Sequence, residues 1–357
     1  MTNGHHNNRR GNRQTGNIAQ FPSNLPLPLP QTTEDIIGSD PGAADNFYAL
    51  YYHYIPRSND KDWSFTPKDK PLIRNAVLSK GNQRISAEET QEFLQRMCNG
   101  YFLKAASPLV YAYSGKTLNQ LVTGLGNAAP LEAGLTLHPI YGVPYLKGEG
   151  IKGVCRRYAL LSIADKTGVP VLGPDDIAKL KRTPLQLLEE ALLAKRGQAS
   201  FYNRIKSAIP PGEFVDSLCP QEEFDKVIDK DGEFFREAFG GREGKGGVEF
   251  CDAFPCPNQQ NIFDLGITNV HYQDFYRGKA YPADYHDPVP VPFLTVKRDI
   301  EFRFFLALQG KEDKWLIDKI ENILFDALKE MGFGAKTRTG YGRLDRLVRT
   351  SAFEWTS

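Results

Sequence analysis

Apolar residues recur along this chain with two periods, and the switches between them outline its architecture. Phe47, Leu50, Tyr51 and Tyr54 follow helical spacing. Asp40-Pro41 ahead of them reads as an N-cap with proline in the first turn. Ser86 and Glu89 match a capping box before a second amphipathic run, with Phe93, Leu94 and Met97 on one face. Residues 40–115 are therefore expected to be a mainly helical N-terminal region. Leu118–Gly124 and Gly134–His138 read as short strands. Gly148–Asp165 reads as a helix whose apolar arc holds Ile151, Val154, Cys155, Tyr158 and Leu161. Residues 174–240 are helical again, with Pro184 opening one helix and Glu222–Phe239 forming another. Gly240–Gly247 is a flexible break.

The second half turns to strands. Val248–Phe254 is short, and Asn258–Pro292 is an extended loop or hairpin. Over Pro292–Leu308 the alternation is clear: Ile300, Phe302, Phe304, Leu306 and Leu308 against Glu301 and Arg303. Asp313–Met331 is the best-defined helix, with Leu316, Ile320, Ile323, Ala327 and Leu328 on its apolar side. Gly332 should end it. Tyr341–Val348 returns as a last strand. With a helical insertion at about 166–247 set aside, residues 116–357 approach a βαββαβ order. The expected class is α+β: a ferredoxin-like (RRM-like) core with large helical insertions. Such sheets commonly face single-stranded RNA. The aromatic signature of standard RNA-recognition motifs is not evident, and no internal repeat is seen.

Residues 1–39 break the pattern. Arg9, Arg10 and Arg13 stand in polar sequence with no acid before Glu34, and LPLPLP at Leu25–Pro30 favours polyproline conformation. This reads as a disordered tail, or alternatively as a tether to RNA or a neighbouring subunit. The net charge of +1 rules out a uniformly basic protein, so any nucleic-acid surface must be local. No run reaches the roughly 18 apolar residues of a transmembrane helix, and the start lacks a signal peptide's apolar core. Five cysteines (Cys98, Cys155, Cys219, Cys251, Cys256) without a CxxC fit a reducing, cytoplasmic setting.

Two segments carry the charge pattern that matters. In GVPYLKGEGIKGVCRR, Gly148, Gly150 and Gly153 surround a helix start, with Lys147, Lys152, Arg156 and Arg157 nearby. Helix starts expose unpaired N–H groups that suit phosphate. Lys152 and Arg156 share one flank of this helix and Arg157 lies on the other. In GFGAKTRTGYGR, Gly332, Gly334, Gly340 and Gly342 alternate with Lys336, Arg338 and Arg343, and Tyr341 could stack on a base or pack into the sheet. This is not a P-loop: it follows a helix rather than opening one. A helix C-terminus repels phosphate, so binding here needs backbone nests and cations. The plainer readings are a tight strand-to-helix turn with a solvated basic face and a glycine-capped loop.

The ordered combination GLG…LEAGLTLHPIYGVPYLKGEGIKGVCR, VEFCDAFP, DYHDPVPVPFLTV and GAKTRTGYGR resembles the RAMP superfamily of CRISPR effector subunits, and within it the sixth-subunit family of type III-B (Cmr) complexes. The likeness runs in patches over Gly124–Leu344. Where this chain has Lys147-Gly148-Glu149-Gly150, that family commonly carries a proline and small hydroxyl residues, so Glu149 weakens the local positive field. The resemblance implies a non-catalytic subunit at one end of a protein filament wrapping CRISPR RNA. It implies a hold on the 3′ part of the guide and contacts to target RNA and to other RAMP and small subunits, with no membrane and no cofactor. RNA cleavage in such complexes is assigned to the repeated backbone subunit. The expected RNA contacts are Lys147, Lys152, Arg156, Arg157, Lys336, Arg338, Tyr341 and Arg343, with the seven glycines named above as the glycine-rich loops.

Two alternatives stay open. One is a metal-independent CRISPR RNA-processing ribonuclease using His53 or His138 for acid–base work; separately, Asp252 is a candidate for metal-assisted cleavage. Each of these residues also fits a satisfied strand end, turn or cap. The other is a protein-only scaffold. A zinc site from Cys251, Cys256, His271 and His286 matches no trusted spacing, so no metal is expected.

Overall fold

The computed structural model describes residues 20–21, 46–55, 68–100, 109–131, 133–194, 201–210, 217–241, 244–270, 278–279, 281, 289–310 and 313–350. Most of the tail, Asp40-Pro41, His271 and His286 lie outside these.

One antiparallel sheet organises the molecule. Its strands are β1 (Val110–Lys116), β2 (Val248–Phe250), β3 (Phe254–Pro255), β6 (Glu301–Leu308) and β7 (Val348–Thr350), ordered β2–β6–β1–β7 with β3 also on β6. β1 lies inside the region expected to be helical. Its register runs from Val110 opposite Ala307 to Lys116 opposite Glu301. Tyr111, Ala112 and Tyr113 are consecutively buried, so the period-two signal that marks a half-exposed strand is missing. β6 is likewise buried on both faces: Phe302, Phe304 and Leu306 join the main core, while Arg303, Phe305 and Ala307 are also inaccessible. Each buried Phe of this strand contributes about 1.5–3 kcal/mol.

The expected strand Pro292–Leu308 is two strands. β5 (Val289–Val296) pairs over its whole length with β4 (Phe263–Val270) as a separate hairpin. The chain then turns through Asp299, at φ +63°, into β6. The expected strand Leu118–Gly124 joins no ladder, apart from a bridge between Leu121 and Val296: Leu118 and Asn119 form a bend, and Gly124 turns at φ +73°. Of Gly134–His138, only Leu137 pairs, with Pro144. The last strand starts late: Leu344 bridges Thr117, and regular pairing begins at Val348.

Helices α4 (Gly148–Thr167) and α8 (Lys314–Asp326) pack together against the sheet side that holds Phe302 and Phe304. Ile151, Cys155 and Leu160 from one and Leu316, Ile320 and Leu324 from the other are buried in the same core. α8 ends in a wider π-type turn, Ala327–Met331, stopped by Gly332 as expected. The insertion forms α5 (Pro184–Leu193), α6 (Phe201–Ala208) and α7 (Gln221–Phe239). Thr183 and Gln186 cap α5 reciprocally, with Pro184 in the first turn. The buried carboxylate of Asp231 on α7 binds Lys166 of α4 at 3.2 Å and Lys319 of α8 at 2.7 Å, tying the insertion to both core helices.

At the N-terminal side stand α1 (Phe47–Tyr52), α2 (Asp69–Ile85) and α3 (Glu88–Cys98). Ser86 does not cap α3. It ends α2 in αR conformation, and its hydroxyl donates back to the Asn82 carbonyl at 3.3 Å, which removes it from the expected capping box. Asn82 itself exchanges two hydrogen bonds with the Phe263 backbone, fixing α2 to the hairpin. Among the described residues no helix is long and apolar enough to cross a membrane.

Candidate nucleic-acid interface

The loop after α8 is built by backbone bonds within itself and to the segment 118–124. Phe333 N–H donates to the Gly342 carbonyl at 2.8 Å, Gly342 N–H to Gln120 at 2.9 Å and Ala335 N–H to Val122 at 2.8 Å. That segment is thereby held between the glycine loop on one side and, at Leu121, Val296 on the other. Gly342 sits at φ +71°, and a Cβ there would lie 1.9 Å from the Phe333 oxygen, so no other residue closes this turn.

The start of α4 is set by a bulge. Cys251, Asp252 and Ala253 separate β2 from β3 and stand opposite only two residues of β6, Phe304 and Phe305. Leu146 pairs with Ala253 across the gap. Gly148 then passes so close to the Phe250 carbonyl that a Cβ would stand 2.1 Å from it. The Asp252 carboxylate accepts the Gly148 N–H at 2.7 Å. The positive end of α4 is thus already complemented by an anion, in the cap role the sequence allowed for Asp252. This corrects one expectation: Gly148 N–H is not an open phosphate donor.

The two glycine segments do meet. Gly150 packs directly on the Phe333 ring, where an added Cβ would come within 2.9 Å of Cζ. Between them lies a cavity of about 210 Å³. Its walls are Gly124, Gly150, Gly334 and the Phe333 and Tyr145 rings, with Thr123, Thr136, Lys147 and Glu149 as polar lining. The Thr123 side chain meets Gly334 with its methyl, and its hydroxyl is buried without a hydrogen-bond partner. Lys147 and Glu149 stand 3.9 Å apart, both more than half exposed. Thr123 and Tyr145 escaped the sequence reading, because neither type nor spacing marks them before the loops are brought together.

The expected cations divide sharply. Arg156 bonds Glu189 at 2.8 Å and the Gly240 carbonyl at 3.3 Å, and its guanidinium lies 4.8 Å from the Phe235 ring centre. Lys336, in left-handed conformation, donates to Thr268 Oγ1 at 2.8 Å and lies 5.6 Å from the Phe293 ring centre. One faces the insertion, the other the β4–β5 hairpin, and they share no neighbour among these contacts. Tyr341 is half-buried against Phe293, which is the packing alternative to base stacking. Lys152 is half-buried, and its pKa is lowered by burial first and by Arg156 and Lys245 next. Arg157, Arg338 and Arg343 are exposed.

Two of the candidate catalytic groups, His138 and Asp252, are engaged in structure. His138 Nδ1 accepts from Ile140 and Tyr141 N–H, and its ring packs among Phe93, Tyr141, Tyr145 and Phe254. Burial lowers its pKa, with Asp252 opposing. His53 is exposed at the end of α1. The cysteines are free thiols, with Cys251 pushed up to about 12 by burial. Among the described residues no three His, Cys, Asp or Glu side chains cluster as metal ligands.

Comparison with known proteins places this geometry in context. The RAMP superfamily model matches residues 115–345. The CRISPR system Cmr subunit Cmr6 of Pyrococcus furiosus is 32% identical over 258 residues, 67% of this chain and 69% of that protein. The Cmr6 subunit of Saccharolobus solfataricus is 30% identical over 118 residues, 33% of this chain and 37% of that protein. Among solved structures, a type III-B Cmr-beta complex bound to cognate target RNA contains a chain 20% identical, with a TM-score of 0.46, covering 84% of this chain and 80% of that one. The crystal structure of Cmr6 from Pyrococcus furiosus is 25% identical at a TM-score of 0.39, covering 67% of this chain and 98% of that one.

Proposed function

This chain belongs to the RAMP superfamily and, within it, to the Cmr subunits, and from that membership we propose that it is a non-catalytic RNA-binding subunit of a type III-B CRISPR effector complex. It caps one end of the backbone filament and holds the 3′ part of the guide and its target. The sheet order β2–β6–β1–β7, with α4 after β1 and α8 after β6, supports reading the core as the ferredoxin-like βαββαβ unit.

The observation that carries the proposal is the junction of the two glycine segments. Residues nearly two hundred positions apart, Gly150 and Phe333, are in contact. The segments around them bear the exposed cations Lys147, Arg338 and Arg343. Cations on backbone-rich loops suit a flexible polyanion, and their affinity is largely sequence-independent. Base pairing within the guide then supplies specificity. The engagement of Asp252 with Gly148, and of His138 with backbone N–H groups, supports a binding rather than a cleaving role. Arg156 and Lys336 take positioning roles in this reading: they fix the insertion and the hairpin around the junction.

The test is affinity capture of the tagged full-length chain from its host. A small RNA and companion RAMP and small subunits are expected. Recovery of the chain with neither would overturn the proposal.

A further inference from the structure

We propose that the cavity at the junction receives one everted base of the bound strand, so that the phosphates run outside it. This rests on the RNA-binding reading and adds what the junction itself recognises.

Three features converge. The first is size. At about 210 Å³ the cavity is smaller than the roughly 300–1,000 Å³ of drug-sized sites, and fits a single ring system rather than a nucleotide chain. The second is the character of the walls. Gly124, Gly150 and Gly334 present backbone without side chains, and Phe333 and Tyr145 present rings. Tyr145 is held from behind by Phe254, stacked at 5.8 Å and 12°, so it is ordered before any ligand arrives. Flat apolar surface of this kind suits a planar base.

The third feature is polarity, and it argues against phosphate in the cavity. Glu149 stands 3.9 Å from Lys147 and offsets it. Asp252 occupies the helix end alongside. A phosphate would meet two carboxylates for one ammonium. A base edge carries donors and acceptors together, and the lining offers both: the Glu149 carboxylate accepts and Lys147 donates.

The experiment compares binding of the full-length chain to a uridine homopolymer and to a ribose-phosphate strand of equal length without bases. The pair is repeated with Tyr145→Ala, Tyr145→Phe and Glu149→Gln. The wild-type chain should prefer the base-bearing strand. Tyr145→Ala should lower that preference by about tenfold without changing the salt slope, whereas Tyr145→Phe should keep it. Glu149→Gln should weaken the base-bearing strand, since an amide has lost the charged acceptor. If Glu149→Gln instead tightens both strands and steepens the salt slope, the cavity takes phosphate and the proposal fails. Equal preference in wild type and Tyr145→Ala, with RNA still held, overturns the base pocket and leaves the RNA reading standing. Loss of companion subunits on Tyr145→Ala, with RNA binding unchanged, assigns the cavity to a protein side chain and also overturns it. No retention of either strand by any version overturns the RNA reading itself.

Discussion

Gly150→Ala probes the contact on which the junction depends. The new methyl would lie 2.9 Å from Phe333 Cζ, closer than real Cβ atoms come, and a tight 3.0 Å from Cε2. Phe333 is 7% exposed, so its ring can yield only toward the cavity it lines. Overpacking of this sort costs about 1–3 kcal/mol. The replacement also gains up to about 1 kcal/mol of helix propensity, less in a first turn. The net expectation is a loss of about 1–2 kcal/mol. Phe333→Leu alone should cost a similar amount through lost burial and a small void. Combined, the smaller side chain makes room for the methyl, and the two losses should fall short of additivity by about 1 kcal/mol. Urea unfolding of the four proteins, followed by tryptophan fluorescence, measures this coupling. Additivity within roughly 0.5 kcal/mol would show that Gly150 and Phe333 do not touch, and the junction would lose its foundation.

Other outcomes follow from particular contacts. Asp231→Asn should destabilise the fold by about 2–3 kcal/mol, less than a fully buried pair because Lys166 and Lys319 reach solvent. Burial alone would raise the Asp231 pKa, but the hydrogen bonds and charges of Lys319 and Lys166 bring it below normal. Its stabilisation should therefore be complete above the ordinary carboxylate pKa of about 3.9 and vanish as pH falls through the lower folded value. Acid unfolding curves of wild type and Asp231→Asn should converge at low pH. For His138 the folded pKa is lowered, so the unfolded chain binds more protons below about pH 6.5. Wild type should lose stability on acidification through that window, and His138→Gln should not. Arg156→Ala should lower the melting temperature through loss of the Glu189 and Gly240 contacts, yet leave the salt slope of RNA binding unchanged.

Much of the fold was legible because local signals agreed with tertiary needs. α4, the helix opened by Pro184 and the Gly332 stop follow from apolar spacing, proline and glycine, and they appear where expected. β1 was hidden because burial on both faces erased its alternation. Ser86 misled because its hydroxyl serves the preceding helix. For the site, the sequence marked the right loops but could not sort their cations. Arg156 and Glu189 are 33 residues apart, Lys336 and Thr268 are 68 apart, and Asp252 reaches Gly148 across 104. Whether a cation is free or engaged depends on such partners, which no local pattern shows.

The most direct test of an RNA-holding junction is the salt dependence of single-stranded RNA binding by the full-length chain and by Lys147→Ala/Arg338→Ala/Arg343→Ala. Each lost phosphate contact removes about 0.7 from the log–log slope, so the triple variant should be shallower by about 2. A slope that does not change, with affinity intact, would contradict the account.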